Sequence, residues 1–145
     1  MGACNVGTSP CIFIVEEFLD GESLRQRLAS GPQPLPFVRE LGNALLTALS
    51  QVEAVRLVHR DIKPENIMLC RDGRIVLIDF GIARHLDSIS LTSSFAMFGP
   101  MTIGYCAPEQ INNQKRAIGI RTDFFALGIV LYEMVITPAR KYRSN

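Results

Sequence analysis

The chain has 145 residues and a formal net charge of +1 at pH 7, with 48% hydrophobic and 20% charged residues. This length is enough for one domain with a modest core. The balanced charge gives no electrostatic basis for binding nucleic acid or an acidic membrane surface, and the longest apolar runs, such as 75–78, are far too short to span a bilayer.

The amino-terminal residues and the cysteines indicate a reducing compartment. MGACNVGTSP does not match a myristoylation signal, because Val6 stands where Ser or Thr is required, and it lacks the basic and apolar regions of a secretory signal. No two of the four cysteines have CxxC spacing, so reduced thiols are a better interpretation than a zinc site. We therefore predict a cytoplasmic protein.

The first third of the chain predicts a strand followed by helices. Residues 11–19, CIFIVEEFL, are apolar and β-branched, as in strands. DGES at 20–23 offers a turn and a helix cap before the short helix LRQRLAS, and the prolines of 31–36 predict a loop. Apolar residues then recur at helical spacing over 37–57, which predicts a long amphipathic helix.

The remainder predicts a hairpin, a long loop and a buried helix. IMLC (67–70) and RIVLID (74–79) flank the turn signal RDG, so we expect two paired strands. Residues 80–120 show no sustained period and predict a long ordered loop. RTDFFALGIVLYEMVI (121–136) is apolar nearly all round, as in a buried helix. The fold class is therefore mainly α with a small β hairpin (α+β).

Polar residues with a shared chemistry surround the predicted hairpin, in HRDIKPENIMLCRDGRIVLIDFG (59–81). Asn66 precedes the first strand and Asp79 ends the second, so their side chains can meet around a hard cation such as Mg²⁺. Asp61 could accept a proton from an attacking hydroxyl, and Lys63 could offset phosphate charge. Together these residues could supply what phosphoryl transfer requires, namely positioning, charge neutralisation and one base.

Three motifs in order resemble the protein kinase family. HRDIKPEN, IDFG and APE (107–109) are similar to its catalytic loop, magnesium loop and the end of its activation segment. Lys63 and Thr102 resemble residues of Ser/Thr-specific members, and LVHRDIKPENIML and TIGYCAPEQ resemble prokaryotic-type sequences. The resemblance implies one partial domain over 1–145, with a hinge strand at 11–19, a catalytic loop at 59–66, an activation segment at 79–109 and a buried helix at 121–136.

The resemblance also implies the roles of individual residues. It makes Asp61, Lys63 and Asn66 catalytic residues, and Asn66 and Asp79 magnesium ligands. It makes Glu17 and Leu19 hinge residues that bind ATP, together with Asp79 and with Met68, whose side chain would lie under the adenine. His59 is expected to pack and hydrogen-bond within the loop rather than act as a base, and Asp123 to brace the backbone of that loop.

The sequence departs from the family pattern in ways that leave alternatives open. It contains no GxGxxG loop followed by a strand lysine and a helix glutamate, the features of the small lobe. We expect a protein substrate, ATP and Mg²⁺, and a small lobe that is missing here or supplied by another chain, with no nucleic-acid or membrane partner. The alternatives are a catalytically inactive kinase-like binding module and a non-functional fragment.

Overall fold

The computed structural model describes residues 2–6, 9–13, 15–80 and 103–137. The strands are β1 (Gly2–Val6), β2 (Ser9–Phe13), β3 (Gly21–Ser23), β4 (Ile67–Cys70) and β5 (Ile75–Leu77). The α-helices are α1 (Leu24–Leu28), α2 (Leu35–Ala54), α3 (Pro108–Ile111) and α4 (Ile120–Ile136). Short 3₁₀ turns cover Pro64–Asn66 and Ile103–Tyr105.

The strands form two small antiparallel sheets. β1 pairs with β2 in a hairpin, and β3, β4 and β5 form a sheet in that order. The predicted hairpin of 67–79 is therefore confirmed, although its second strand ends at Leu77. Strand β3 adds a third member that the sequence pattern did not indicate, since a three-residue strand is too short to show alternation. The fold class, mainly α with a small sheet, is confirmed.

The DGES segment has both a strand and a capping role. Ser23 caps α1 through a capping box with Gln26, as the sequence predicted. Gly21 pairs opposite Cys70, and a Cβ at Gly21 would overlap the carbonyl of Leu69. Glycine is therefore required here so that β3 can approach β4.

Helix α2 is displaced from its predicted range of 37–57. It begins at Leu35. Pro36 is tolerated there, because it lies in the first turn, where its missing N–H removes no helical hydrogen bond. It ends at Ala54, where Arg56 takes a left-handed conformation (φ 57°) and Leu57 N–H donates to Val52 O at 3.1 Å. These are the bonds of a Schellman cap, normally made with glycine.

Helix α4 confirms the predicted helix at 121–136 and buries one face of it. It packs against α2 and closes a single hydrophobic cluster. Phe124 and Phe125 remain 42% and 44% exposed, so the burial is one-sided rather than complete. The cluster consists of Leu24, Leu28, Leu41, Leu45, Leu49, Ile62, Ile67, Leu77, Ala126, Leu127, Val130 and Met134.

Two predicted ranges need correction. The strand predicted over 11–19 ends at Phe13, and residues 15–20 form no regular structure. Their apolar composition favours a strand locally, but Val15 and Phe18 are 78% and 88% exposed and no described strand pairs with them. The loop predicted over 80–120 contains a 3₁₀ turn and α3; residues 81–102, including Thr102, lie outside the described part of the chain.

Candidate active site

The loop 59–66 is anchored to helix α4 by one buried carboxylate. Asp123 accepts hydrogen bonds from the backbone N–H groups of His59 and Arg60, both at 2.8 Å. Asp123 is 0% exposed, and burial raises the pKa of its carboxyl despite these two bonds. Arg60 has a φ of 71°, a region that non-glycine residues rarely adopt. The carboxylate therefore fixes the loop in a strained conformation, and the bracing role predicted for Asp123 is confirmed.

His59 is a buried residue whose ring is held by packing and by hydrogen bonds at both nitrogens. It is 0% exposed, and its ring packs against that of Phe80, with 4.7 Å between the ring centroids. Nε2 lies 2.9 Å from Ile78 O, and Asp61 N–H donates to Nδ1 at 3.3 Å. Since a carbonyl can only accept and an amide N–H can only donate, the ring is neutral with its proton on Nε2. Both nitrogens are occupied, as the sequence analysis expected.

The neutral state of His59 predicts an acid-sensitive fold. Burial lowers its pKa below the ordinary 6.5, although the Ile78 carbonyl opposes the shift. The unfolded chain therefore takes up a proton near pH 6.5 that the folded chain does not. Stability should be fully present above that pH and should fall as the pH drops toward the folded pKa, by about 1.4 kcal/mol per pH unit in that window.

Urea denaturation at pH 7.5 and pH 6.0 measures this slope. His59→Gln should be less stable than the wild type at pH 7.5 but should lose less stability between the two pH values. The raised pKa of Asp123 acts in the opposite direction at lower pH, where protonation relieves the cost of burying its charge. The measurement therefore stays at pH 6.0 or above. An equal loss of stability between the two pH values in the wild type and in His59→Gln would contradict the assignment of a neutral, buried His59.

The three predicted catalytic residues lie together. Lys63 Nζ is 2.7 Å from Asp61 Oδ2, and Asn66 Nδ2 donates to Asp61 O at 2.8 Å and to Asp61 Oδ2 at 3.1 Å. The side chains of Asp61 and Lys63 are each 20% exposed, while Asn66 is 5% exposed. The carboxylate of Asp61 and the ammonium of Lys63 are therefore partly accessible, and the buried amide of Asn66 holds Asp61 in place.

The predicted magnesium ligands lie just before β4 and just after β5, and their side chains differ in exposure. Ile78 N–H donates to Asn66 O at 2.9 Å, which ties the end of the hairpin to the loop. Asp79 follows as an exposed residue with a φ of 57°. Because Asn66 uses its amide nitrogen in both bonds to Asp61, its amide oxygen is the atom suited to a cation. One amide oxygen and one carboxylate suit Mg²⁺, which uses few protein ligands.

The described residues contain no group of three or more His, Cys, Asp or Glu side chains that could hold a metal ion. Any cation here would therefore take most of its ligands from substrate and water. The donor set fits a magnesium ion bound with phosphate better than a resident structural metal.

The predicted hinge residues lie beside the sheet. Glu17 is exposed and pairs with Arg74, whose Nη2 is 2.8 Å from Glu17 Oε1. Arg74 also contacts Asp72 at 2.7 Å, and its hydrogen bond lowers the pKa of Glu17. Leu19 is partly buried. No local pattern indicates this pairing of Arg74, because Glu17 and Arg74 lie 57 positions apart in the chain.

The third predicted adenine contact lies on the sheet itself. Met68 is partly buried on β4, opposite Ser23 of β3 and Val76 of β5. The turn after β4 also reaches the hinge segment, since Arg71 N–H donates to Asp20 O at 2.8 Å. The hairpin therefore orients both Met68 and the segment that contains Glu17 and Leu19.

A polar cluster beside the loop was also missed by the sequence analysis. Arg25 of α1 contacts Glu65 at 2.8 Å and Glu133 of α4 at 2.5 Å. Tyr105 hydrogen-bonds both Arg25 and Glu133, and burial, followed by the hydrogen bond to Glu133, raises its pKa to about 12. The cluster joins four segments, and Gln110 of α3 adds a bond to Arg60 O at 2.8 Å.

The comparisons with known proteins decide the family. A model described as a protein kinase domain matches residues 5–142, nearly the whole chain. The chain belongs to the protein kinase family.

The similar kinases are bacterial Ser/Thr enzymes by name. A probable serine/threonine-protein kinase of Streptomyces coelicolor, SCO3848, is 38% identical over 85% of this chain. PknL of Mycobacterium tuberculosis is 36% identical over 85%, and the probable kinase PkwA of Thermomonospora curvata is 43% identical over 79%. The resemblance to prokaryotic-type Ser/Thr kinases is therefore confirmed.

The chain is much shorter than these kinases. It covers 18% of SCO3848, 30% of PknL and 15% of PkwA. Among the described residues, no helix is both long and apolar enough to cross a membrane.

Proposed function

We propose that this chain carries the catalytic-loop part of a Ser/Thr protein kinase site, which transfers the γ-phosphate of ATP to a Ser or Thr hydroxyl of a protein substrate. The observation that carries the proposal is the cluster of Asp61, Lys63 and Asn66, with hydrogen bonds of 2.7–3.1 Å, on a loop braced by Asp123. The amide of Asn66 and the carboxylate of Asp123 are both buried and support the partly accessible carboxylate of Asp61, which favours a preorganised site over a chance surface cluster.

Each residue has a distinct role in the proposed reaction. Asp61 accepts the proton of the attacking hydroxyl and orients its oxygen toward the phosphorus. Lys63, which donates to Asp61 Oδ2 in this structure, donates to an oxygen of the transferring phosphoryl group during the reaction and balances its negative charge. Asn66 and Asp79 would hold Mg²⁺, which neutralises phosphate charge when bound.

The nucleotide base would lie against the hinge segment and the sheet. Backbone groups between Glu17 and Leu19 would bond the adenine edge, and Met68 would contact its face. The Arg74–Glu17 pair supports this assignment, because it directs the Glu17 side chain toward the turn at 71–74. A small lobe, from the rest of the protein or from a second chain, would complete the phosphate site, and a cytoplasmic location remains part of the proposal.

Thermal melting with and without Mg²⁺ and ATP tests the proposal. A ligand that binds only the folded state raises the melting midpoint, by the equivalent of about 2.7 kcal/mol when it is present at 100 times its Kd. We expect the wild type to melt cooperatively and to shift with Mg-ATP. Asp79→Asn should show no magnesium-dependent shift, since the carboxylate is lost while Asn still tolerates the left-handed backbone.

The matched control is Asp72→Asn, an exposed aspartate in the turn after β4 whose variant should keep the full shift. An absence of any cooperative transition would favour the non-functional fragment. A shift that is retained in Asp79→Asn, without phosphotransfer, would favour a binding module and contradict the proposed magnesium site.

A further inference from the structure

The hairpin of β1 and β2 places two of the four cysteines directly opposite each other. Its register pairs Cys4 with Cys11, between Ala3–Ile12 on one side and Asn5–Pro10 on the other. Opposite residues of an antiparallel pair lie on the same face, with Cα atoms about 4.5–5.5 Å apart. Disulfides join residues whose Cα atoms are about 4.4–6.8 Å apart. The backbone register therefore brings the Cα atoms of this pair within the range that a disulfide spans.

The other two cysteines do not share this arrangement. Cys70 of β4 lies opposite Gly21 of β3, which carries no side chain. Cys70 and Cys106 take part in no disulfide and are only 9% and 8% exposed, respectively. Low exposure slows attack on a disulfide in solution, since thiol–disulfide exchange requires access to the sulfur. The hairpin is thus the one place in the described residues where the register pairs two cysteines.

We propose that Cys4 and Cys11 form a reversible intrachain disulfide by exchange with small-molecule disulfides such as glutathione disulfide. The thiolate of one cysteine attacks a sulfur of the small disulfide, forms a mixed disulfide and releases one glutathione thiolate. The second cysteine thiolate attacks the protein sulfur of that mixed disulfide and releases the other glutathione. Two protein thiols are oxidised and one small disulfide is reduced to two thiols, because the two released glutathione thiolates take up the two protons that the protein thiols lose.

The disulfide restrains a structure that is weak without it. An isolated two-stranded hairpin is marginal in water, and a crosslink between opposite residues fixes its register. Strand β2 runs toward residues 15–20, the segment that contains the proposed hinge. Oxidation therefore restrains the chain at the entrance to that segment, a consequence that depends on the proposed function, whereas the disulfide itself does not. A reducing compartment keeps the pair as thiols until the glutathione pool becomes oxidised.

The experiment measures thiols directly and needs no kinase activity. The purified chain is equilibrated with glutathione buffers of increasing oxidised fraction, quenched in acid, unfolded, alkylated with N-ethylmaleimide and analysed by peptide mass spectrometry. We expect Cys4 and Cys11 to lose alkylation together and to appear in one peptide with an internal disulfide, two hydrogens lighter than its dithiol form. Cys70 and Cys106 should stay alkylated, and the crosslink should disappear on reduction.

A control variant that shifts one thiol by a single position tests whether the crosslink depends on the strand register or only on closeness in sequence. The double variant Ala3→Cys/Cys4→Ser moves the thiol by one position, and neighbouring strand residues point to opposite faces. It should form the Cys11 crosslink at least about tenfold less readily than the wild type, because it lacks the facing geometry that a disulfide requires. Equal crosslinking of this variant would overturn the proposal. Separate glutathione adducts on Cys4 and Cys11, or crosslinks to Cys70 or Cys106, would do so as well.

Discussion

Asp123→Ala is expected to lower the free energy of unfolding by about 3–6 kcal/mol, because each hydrogen bond to a charged group contributes roughly 1.5–3 kcal/mol. The carboxylate accepts from two backbone N–H groups, the buried one of His59 and the partly buried one of Arg60. Alanine leaves both donors without their partner and releases Arg60 from its left-handed conformation. Urea denaturation followed by circular dichroism measures the loss.

Two further variants make this prediction specific. Asp123→Asn keeps the volume but turns an NH₂ group toward one of the two N–H donors, so it should lose about half of the stability that alanine loses. Asp20→Ala removes an exposed carboxylate that contacts Arg71 at 3.4 Å, and it should change stability by less than about 1 kcal/mol. A similar small effect for Asp123→Ala would show that the brace is not needed for folding.

Asp61→Asn is expected to lower kcat for phosphotransfer by about 10²- to 10⁴-fold, the usual contribution of a general base. Asparagine preserves the shape of the side chain but cannot accept the proton of the substrate hydroxyl. The measurement is the transfer of labelled phosphate to a Ser/Thr peptide, made with a preparation in which the wild-type sequence is active.

The control for Asp61→Asn separates chemistry from binding and folding. The variant should keep the melting shift with Mg-ATP that Asp79→Asn loses, because Asp61 is not a proposed magnesium ligand. Glu53→Gln, an exposed change on α2, should keep full activity. If Asp61→Asn retains kcat within about threefold of the wild type, a contribution of the usual size for a general base is excluded.

The local signals of the sequence were sufficient for α1, α2 and α4 and for the hairpin of β4 and β5. The apolar spacing of 37–57 identified α2, and RDG between two apolar runs identified the turn. The errors lie where local signals compete. Pro36 suggested a loop but lies in the first turn of α2, and Arg56 does not resemble the glycine that usually ends a helix.

The site was predictable only in part. The motifs indicated Asp61, Lys63, Asn66 and Asp79 through the resemblance to kinases, and the structure brings the first three within hydrogen-bond distance. The exposure of Asp79 and its left-handed backbone could not be inferred from spacing. The roles of these four residues in catalysis and metal binding remain predictions.

The sequence by itself determined the family, the motif residues of the loop and the order of the main elements, because each depends on residues within a few positions of one another. Only the tertiary structure decided what supports that loop. Asp123 meets His59 across 64 positions, Arg25 meets Glu133 across 108, and Arg74 meets Glu17 across 57. Such contacts arise when packing of α2 against α4 and pairing of β3 with β4 bring distant segments together, and no local pattern encodes that meeting.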